Sequence, residues 1–370
     1  MRIGVPKEIK THEYRVGINP TGVKQLVAAG HSVTVQAQAG VSSGFSDETF
    51  IAAGANIASD AASVWNDSDM VIKVKEPLPE EFGFFREGLV LYTYLHLAAF
   101  PELTKELLAK KVTGVAYETI TDNNGALPLL RPMSEIAGRM ASQVGAACLE
   151  RSGGGKGLLM GGIPGTRRAK VVILGGGIVG TAAARIAIGL GARVTVLDIN
   201  ADRMHYLEDV FGNSIETLYS NPDTVDESCT DADMVVGAVL LPGGAAPKLL
   251  KRDHLKKMAD GSVVVDVAVD QGGCIETCRA TTHDAPTFVE EGIVHYCVAN
   301  MPGAVPQTST IALTNATIPH ALAIANLGAL EASKANIHLA RGLNTLAGAC
   351  VCEPVARAHG LDFTPLEQAL

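Results

Sequence analysis

The sequence predicts an α/β protein made of two doubly wound parallel-sheet domains. Its 370 residues are enough for about two domains at ~150 residues each. Short apolar runs alternate with helix-like segments, which is typical of parallel sheets covered by helices. A glycine-rich turn follows one of these runs in the middle of the chain. Because 47% of the residues are hydrophobic and 19% are charged, a disordered chain is excluded.

The first domain is predicted from apolar runs that have the length of buried strands and are bounded by turn residues. These runs cover residues 2–6, 32–36, 70–75, 89–96 and 113–118. Helix-like segments lie between them at 22–29, 60–65 and 101–110. Because strands alternate with helices, we expect a parallel sheet whose connections cross over through helices.

The second domain begins after a predicted helix at 132–150 and a glycine run at 152–157. Its predicted strands cover residues 170–174, 193–197, 215–220, 234–240, 262–267 and 294–298. Strands in this number, with helices between them, are enough for a complete dinucleotide-binding sheet.

The last part of the chain has a helical pattern. It extends from residue 308 through 341 to about 350, and we predict no further strand after Pro306. Because the second domain is already complete, we expect this tail to pack on the first. The predicted fold is therefore discontinuous, with residues 1–128 and 307–370 around an insert of 129–306 and a cleft between the two domains.

Charge and composition restrict the class of partner. The net charge is −9 and no cluster of Lys and Arg of the kind that extends over about five to eight residues occurs, so we expect neither nucleic acid nor an anionic membrane as a partner. Residues 292–330 lack Asp, Glu, Lys and Arg, but prolines interrupt them, and we expect a buried crossing between domains instead of a membrane span. A charged N-terminal segment and seven scattered cysteines predict a cytoplasmic protein.

The glycine turn carries the clearest chemistry. In the segment LGGGIVG, Gly175, Gly177 and Gly180 have GxGxxG spacing between an apolar strand and a helix. The first glycine permits the tight turn, the second lets the backbone approach a pyrophosphate, and the third lets helix and strand pack closely. A merely structural glycine turn is the alternative, and the strand before it and the helix after it argue against this alternative.

Asp198 adds a second element of a Rossmann-like dinucleotide site. It ends the next strand, eighteen residues past Gly180, where a carboxylate can accept hydrogen bonds from the adenosine ribose hydroxyls. The same carboxylate repels the 2′-phosphate of NADP, so we expect NAD as the cofactor. Arg203, five residues further on, could pair with a 2′-phosphate, but Asp198 is expected to lie closer to the ribose.

Ligands of an open parallel sheet bind outside the carboxyl ends of its strands, and this rule selects further candidates in the second domain. They are Ser220, Val239, Leu240, Val267, Asp270, Asn300 and Met301. For the apolar members the alternative is core packing. Asp270 follows an almost wholly apolar run and is placed near the nicotinamide, although a solvated loop aspartate remains its alternative.

In the first domain the same rule selects Lys75 and His96, which end the runs MVIKVK and LVLYTYLH. A histidine can shuttle protons at neutral pH, and a lysine can pair with a carboxylate or polarise a carbonyl. Taken alone, each signal is weak, because the chain has other histidines and a lysine at a strand end is usually solvated.

Two long signatures resemble a known family. Residues 4–23, GVPKEIKTHEYRVGINPTGV, followed by Leu26 and Gly30, resemble the N-terminal signature shared by alanine dehydrogenases and the NAD-binding part of proton-translocating transhydrogenases. Residues 173–180, continued through 191–194 to Asp198, resemble the second signature. The resemblance covers essentially the whole chain. It departs from the family at His12 and Asn19, on which the chemistry does not depend.

The resemblance implies roles for individual residues. Arg15 and Lys75 are implied to hold the substrate, and His96 and Asp270 to act in catalysis. The positions where the family contacts NAD are Ser134, Ile178, Val179, Asp198, Arg203, Ser220, Val239, Leu240, Val267, Arg279, Asn300 and Met301.

The resemblance also implies an activity, the reversible NAD-dependent deamination of L-alanine to pyruvate and ammonia, in a homo-oligomer that is commonly hexameric. Two alternatives stay open: an NAD-binding subunit of a transhydrogenase, and a noncatalytic NAD-binding protein on the same fold. We expect no metal site. Ala323 and Leu327 offer no ligands near the C-terminal helix, and Cys274, Cys278 and His283 have no recognised zinc spacing.

Overall fold

The structure is a computed structural model that describes residues 1–239 and 246–369. In chain order, the strands of this part are β1 (Arg2–Val5), β2 (Ser32–Gln36), β3 (Asn56–Ala58), β4 (Met70–Ile72), β5 (Val90–Thr93), β6 (Thr113–Ala116), β7 (Lys170–Leu174), β8 (Arg193–Asp198), β9 (Ile215–Tyr219), β10 (Met234–Gly237), β11 (Val263–Asp266), β12 (Thr287–Glu290), β13 (Ile293–Tyr296), β14 (Leu343–Leu346) and β15 (Ala349–Cys350).

The α-helices of the described residues lie between and after these strands. They are α1 (Pro20–Ala28), α2 (Asp47–Ala52), α3 (Ala61–Asn66), α4 (Pro101–Ala109), α5 (Arg131–Leu149), α6 (Ile178–Gly189), α7 (Ala201–Phe211), α8 (Pro222–Thr230), α9 (Arg252–Leu255), α10 (Pro306–Leu327), α11 (Ala329–Ala335), α12 (Ile337–Ala340), α13 (Glu353–His359) and α14 (Leu366–Ala369).

The chain divides into two compact units. The first contains Met1–Met133 and Gly303–Leu370, and the second contains Ser134–Pro302. Each unit contains one sheet, and the boundary between Met133 and Ser134 falls inside α5.

The first sheet has the strand order β15-β14-β6-β5-β4-β1-β2-β3. All pairs among strands β1 to β6 are parallel. The order therefore reverses between β1 and β4, which is the switch point of a doubly wound sheet. On its core side, Trp65, Leu91 and Leu107 belong to one buried apolar cluster.

Our expectation that no strand follows Pro306 is wrong. Strand β14 pairs antiparallel with β6, and β15 pairs antiparallel with β14. The side chain of Thr345 in β14 accepts a hydrogen bond from Gly114 N at 3.0 Å and donates one to Val112 O at 2.8 Å. Because these partners lie over two hundred residues away in sequence, the short, polar segment around Asn344 and Thr345 gave no local strand signal.

The second sheet has the strand order β12-β13-β11-β10-β7-β8-β9. All pairs are parallel except β12 with β13, and β12 was not predicted. The order reverses between β7 and β10, so this sheet is also doubly wound. The predicted fold class of two doubly wound parallel sheets is confirmed, and within the described residues the sheets are mixed only at β12, β14 and β15.

The uncharged stretch 292–330 contains β13, α10 and the beginning of α11. Helix α10 begins with Pro306 and carries Pro319 in its interior. Across the described part of the chain, no helix combines the length and the apolar character needed to span a membrane.

Candidate active site

Arg15 lies on the loop after β1, at the switch point of the first sheet, and its side chain is buried. Its Nε donates to Glu13 Oε1 at 2.6 Å and its Nη2 donates to Glu13 Oε2 at 2.5 Å. Two hydroxyls of α10 hold the same loop: Val16 N donates to Thr310 Oγ1 at 3.3 Å, and Asn19 N donates to Thr314 Oγ1 at 3.0 Å. The C-terminal helix thus fixes the loop that carries Arg15.

The two charges of this pair stabilise each other inside the protein. Burial by itself raises the pKa of Glu13, but the charge and hydrogen bonds of Arg15 outweigh it and lower that pKa below its ordinary value. In the same way, burial opposes the charge on Arg15 while Glu13 raises the Arg15 pKa. Both groups are therefore ionised at neutral pH. Arg15 Nη1 also contacts Met133 Sδ at 3.1 Å.

Lys75 lies three residues beyond the end of β4, at the same edge of the sheet, and is half-buried. Burial and the nearby positive charge of Arg15 lower the pKa of Lys75, whereas Glu76 and Glu13 oppose this shift. Two cations held this close together favour binding of an anion, because a carboxylate relieves their mutual repulsion.

His96 lies three residues beyond the end of β5 and has a φ of 48°, in the left-handed region that few residues other than glycine adopt. Glu118 supports this backbone: its carboxylate accepts from Leu95 N at 3.1 Å and from His96 N at 2.5 Å. His96 Nδ1 lies 3.9 Å from Glu118 Oε1, too far for a hydrogen bond. The side chain of His96 is 37% exposed, so it is accessible for proton transfer.

Tyr94 joins these groups into one cluster. Its ring is parallel to the imidazole of His96, with 5.9 Å between ring centroids, and its hydroxyl donates to Leu129 O at 2.7 Å. Burial raises the pKa of Tyr94, while the nearby Arg15 opposes that rise, so the phenol is neutral. The structure thus brings Arg15, Lys75 and His96 together at the carboxyl edge of the first sheet.

Our sequence analysis did not predict Glu13, Tyr94 or Glu118. Glu118 had a usable signal, because it ends the predicted run 113–118 at the same edge as His96. Glu13 and Tyr94 had none, since a loop carboxylate and a tyrosine within an apolar run resemble ordinary surface and core residues.

In the second unit, the glycine turn has the geometry that a phosphate requires. Gly175 has a φ of 97°, and a Cβ added to Gly180 would lie only 1.9 Å from the Gly175 carbonyl oxygen. Gly177 precedes α6, and a Cβ there would meet no atom within 4 Å. The open space beside Gly177, next to the N-terminal amides of α6, fits a pyrophosphate.

Asp198 is the last residue of β8 and faces this turn. Its Oδ2 accepts from Gly176 N at 2.6 Å and its Oδ1 accepts from Asn200 N at 2.8 Å. Each carboxylate oxygen keeps further acceptor capacity. The guanidinium of Arg203 donates to the carbonyl oxygens of Gly176 and Gly177, so Arg203 is part of the turn itself.

The other predicted cofactor residues of the second unit are placed as follows. Ser220 N donates to Asp198 O at 2.9 Å, and Asn300 has a left-handed backbone with a φ of 59°. Arg279 pairs with Glu290 at 3.2 Å and lies over the ring of Phe288. Leu240 lies outside the described residues. The remaining positions are Ser134 on α5, Ile178 and Val179 on the first turn of α6, half-buried Val239 and Val267, and buried Met301.

Asp270 is exposed and lies in a short turn at Val269–Gln271. A buried carboxylate that we did not predict, Asp266, holds both sides of this turn by accepting from Ala268 N at 3.2 Å and from Ile275 N at 3.1 Å. Burial raises the pKa of Asp266 to about 6. The position of Asp270 therefore depends on a residue four positions earlier in the same apolar run.

Residues 1–239 and 246–369 contain no cluster of three or more His, Cys, Asp or Glu that could hold a metal ion. A cavity in the second unit is lined by Arg168, Lys170, Arg193 and Ile215, among others. These residues lie at or near the amino ends of β7, β8 and β9, opposite the edge that carries the glycine turn, so we do not assign this cavity to the dinucleotide.

Comparisons with known proteins agree over the full chain. The family model alanine dehydrogenase/PNT, N-terminal domain, matches residues 4–137, and the model alanine dehydrogenase/PNT, C-terminal domain, matches residues 141–353. The alanine dehydrogenase of Bacillus subtilis (strain 168) is 56% identical over 371 residues, which cover 100% of this chain and 98% of that protein.

Solved structures give the same result. An L-alanine dehydrogenase matches with a TM-score of 0.95 at 50% identity, over 97% of this chain and 99% of that chain. A transhydrogenase from Sinorhizobium meliloti matches with a TM-score of 0.82 at 25% identity, over 95% of this chain and 99% of that chain.

A first prediction concerns the charge on Glu13. Its lowered pKa means that ionised Glu13 stabilises the folded protein above the ordinary glutamate pKa of about 4.3, and that this contribution is lost as the pH falls through the lowered folded-state value. We expect Glu13→Gln to lower the Tm at neutral pH. Because it breaks a buried ion pair, the free energy of unfolding should fall by about 3 to 5 kcal/mol. The gap to wild type should narrow toward acid pH in scanning calorimetry.

The matched control is Glu87→Gln, which removes an exposed pair with Lys111 and should change the Tm little at any pH. A gap between wild type and Glu13→Gln that stays constant with pH would contradict the assignment.

A second prediction concerns the turn at Gly180. Gly180→Ala forces a methyl group against the Gly175 carbonyl, so we expect the Kd for NADH to rise by at least about tenfold in a fluorescence titration. Gly189→Ala, at the other end of α6 and with no atom within 4 Å of the new methyl, is the control. Equal affinities in the two variants would mean that the close contact at Gly180 does not shape the site.

Proposed function

We propose that this chain, which belongs to the alanine dehydrogenase/PNT family, catalyses the NAD-dependent oxidative deamination of L-alanine. L-alanine, NAD⁺ and water give pyruvate, ammonium, NADH and a proton. The observation that carries the proposal is the cluster of Arg15, Lys75 and His96 at one sheet edge. It offers two cations and a proton carrier to a small acid, on a chain that also has a dinucleotide turn.

We assign the two ligands to the two units. The first unit is the substrate domain, supported by the Arg15 cluster that it contains. The second unit is the NAD-binding domain, supported by the glycine turn and by Asp198 at the end of β8.

NAD is held, in this proposal, by the turn of Gly175, Gly177 and Gly180 and by Asp198. The contacts of Arg203 with the carbonyls of the turn leave the recognition of the ribose to the carboxylate. Ser134, Ile178, Val179, Ser220, Val239, Leu240, Val267, Arg279, Asn300 and Met301 complete the cofactor contacts that the family resemblance implies. When bound, NAD accepts the hydride that leaves the substrate carbon.

The substrate carboxylate binds to Arg15 and Lys75. Glu13 holds the Arg15 guanidinium in one orientation, so the substrate meets a fixed donor and not a flexible one. Lys75 also polarises the carbonyl of pyruvate in the reverse direction. Its pKa, lowered by burial and by Arg15, recovers when the carboxylate arrives between the two cations.

Proton transfer is assigned to His96 and Asp270. Once the hydride has left Cα, the imino acid takes up water and releases ammonia, and His96 accepts and returns the protons of these steps. Asp270 orients the water or ammonia and stabilises positive charge on the imine.

We also propose an oligomeric state and a cellular location. A homo-oligomer, which the family resemblance suggests to be a hexamer, is supported by exposed apolar side chains on the C-terminal helices, such as Leu327 and Ile337, each 55% exposed. A cytoplasmic location is supported by the cysteines, all seven of which are free thiols as in a reducing compartment.

The test is an assay at mildly alkaline pH with NAD and L-alanine, which should form NADH. A transhydrogenase subunit would instead pass hydride to the NADP of a partner protein, and a noncatalytic NAD-binding protein would form no NADH. Absence of alanine-dependent NADH formation would overturn the proposal.

A third prediction tests the proton carrier. His96→Ala should lower kcat by roughly 10² to 10⁴-fold while leaving the Kd for NADH nearly unchanged, because His96 lies in the first unit. Asp270→Asn keeps the shape and loses the charge, and it should also lower kcat. If His96→Ala retained a kcat within a few-fold of wild type, His96 would not be the proton carrier.

A fourth prediction tests cofactor choice. Asp198→Ser removes charge-assisted hydrogen bonds of about 1.5 to 3 kcal/mol, so the variant should bind NAD roughly tenfold to a hundredfold more weakly and show a narrower NAD/NADP gap in kcat/KM. An unchanged ratio would mean that Asp198 does not select the cofactor.

A further inference from the structure

We propose that Glu8, Lys73 and Glu81 form a buried positioning network that fixes the main chain at Lys75 and so places its ammonium group for the substrate. The inference rests on the proposed function, because it assigns to Lys75 the role of binding the substrate carboxylate. None of the three residues is proposed to touch the substrate.

The network consists of one cation between two carboxylates, all buried. Lys73 Nζ lies 2.8 Å from Glu81 Oε1 and 3.2 Å from Glu8 Oε2. The side chain of Lys73 is fully buried, and those of Glu8 and Glu81 are 2% and 5% exposed. Each carboxylate also accepts from the backbone, Glu81 Oε2 from Leu78 N at 2.9 Å and Glu8 Oε1 from Val74 N at 2.6 Å.

These contacts hold the segment that carries Lys75. Strand β4 ends at Ile72, so the Val74 and Lys75 amides lie beyond the strand. Glu8 Oε1 receives both of them, the Lys75 amide at 3.4 Å. The carbonyl groups of the same segment are also held: Thr93 Oγ1 donates to Lys75 O at 3.1 Å, and the Tyr117 hydroxyl donates to Lys73 O at 3.1 Å.

Stability alone is a poor explanation for this arrangement. Removing three charged groups from water is costly, and apolar side chains of similar volume often stabilise a core as well or better. What a charged network provides is a fixed geometry. The positive charge of Lys73 keeps the Glu8 carboxylate in place, and Glu8 then sets the backbone from which the Lys75 side chain extends.

Glu8 also interacts electrostatically with Arg15 and Glu13. Its negative charge contributes to the raised pKa of Arg15, and the charge of Glu13 contributes to the raised pKa of Glu8, after burial as the larger cause. Glu8 therefore interacts with Arg15 through its charge and with Lys75 through the Lys75 amide.

The test compares variants by binding and kinetics. Glu8→Ala leaves the buried Val74 amide without its acceptor, and we expect the KM for L-alanine to rise by about tenfold or more with the Kd for NADH unchanged. Glu8→Gln keeps an oxygen that can accept from Val74 N, so it should recover most of the loss.

Asp69→Ala is the matched control. Like Glu8, Asp69 interacts with both a basic side chain and a backbone amide. It accepts from Arg2 N at 2.8 Å and pairs with the Arg2 guanidinium at 2.7 Å. It lies at the opposite end of β4, immediately before Met70. Because this pair is largely exposed, Asp69→Ala should lower the Tm only slightly, and it should leave the KM for L-alanine unchanged.

A double-mutant cycle distinguishes positioning from general destabilisation. The Kd for pyruvate is measured by NADH fluorescence without ammonia, in wild type and in Lys75→Met. If Glu8 acts through Lys75, Glu8→Ala should raise the Kd for pyruvate strongly in the wild-type background. In the Lys75→Met background it should raise this Kd by less than about twofold. Equal losses in both backgrounds would overturn the inference.

Failure of this inference is distinguishable from failure of the proposed function. If wild type forms NADH from L-alanine but the two losses are equal, the function stands and the positioning role is wrong. If wild type forms no NADH, the function is wrong. Crystal structures of Glu8→Gln and Glu8→Ala then decide the positioning role. A Lys75 Nζ that is displaced from its place beside Arg15 only in Glu8→Ala supports this role. An Nζ that does not move in Glu8→Ala refutes it.

Discussion

The cluster of Arg15, Lys75 and His96 in the first unit depends on one buried ion pair, that of Glu13 with Arg15. A buried guanidinium is tolerated only when its charge is matched and its donors have acceptors. Glu13 balances the charge and accepts hydrogen bonds from Nε and Nη2. Once Arg15 is fixed as a cation, its charge lowers the pKa of Glu13 and opposes the rise in the Tyr94 pKa. Burial lowers the pKa of Lys75, and the charge of Arg15 lowers it further. One interaction thus sets the electrostatic character of the whole sheet edge.

The cluster sits where it does because of the strand order. In a doubly wound sheet the loops after the two strands at the switch point diverge and leave room at the carboxyl edge. The loop after β1 carries Arg15, the segment after β4 carries Lys75, and the segment after β5 carries His96. Each is then held by a carboxylate, namely Glu13 for Arg15, Glu8 for Lys75 and Glu118 for His96.

The proposed dinucleotide site of the second unit depends on backbone conformation and not on a buried ion pair. At the corresponding switch point, the absence of side chains lets the Gly175 turn and the start of α6 come together at Gly180. Asp198 and Arg203 then hydrogen-bond to the turn from the side. The spacing of the glycines in the sequence is enough to predict this site, because each glycine is required for steric reasons and all of them lie within one short segment.

The sequence by itself determined the fold class, the glycine turn with Asp198, and the sheet edge on which Lys75 and His96 lie, because these follow from local periodicity and from residues close together in the chain. Tertiary structure decided the rest. Strands β14 and β15 form only because β6 offers a partner far away in sequence, and Glu8, Glu13, Tyr94 and Glu118 gain their roles from neighbours that the fold supplies. A carboxylate has the same side chain in a solvated loop and in a buried pair, and only packing determines which of the two it is.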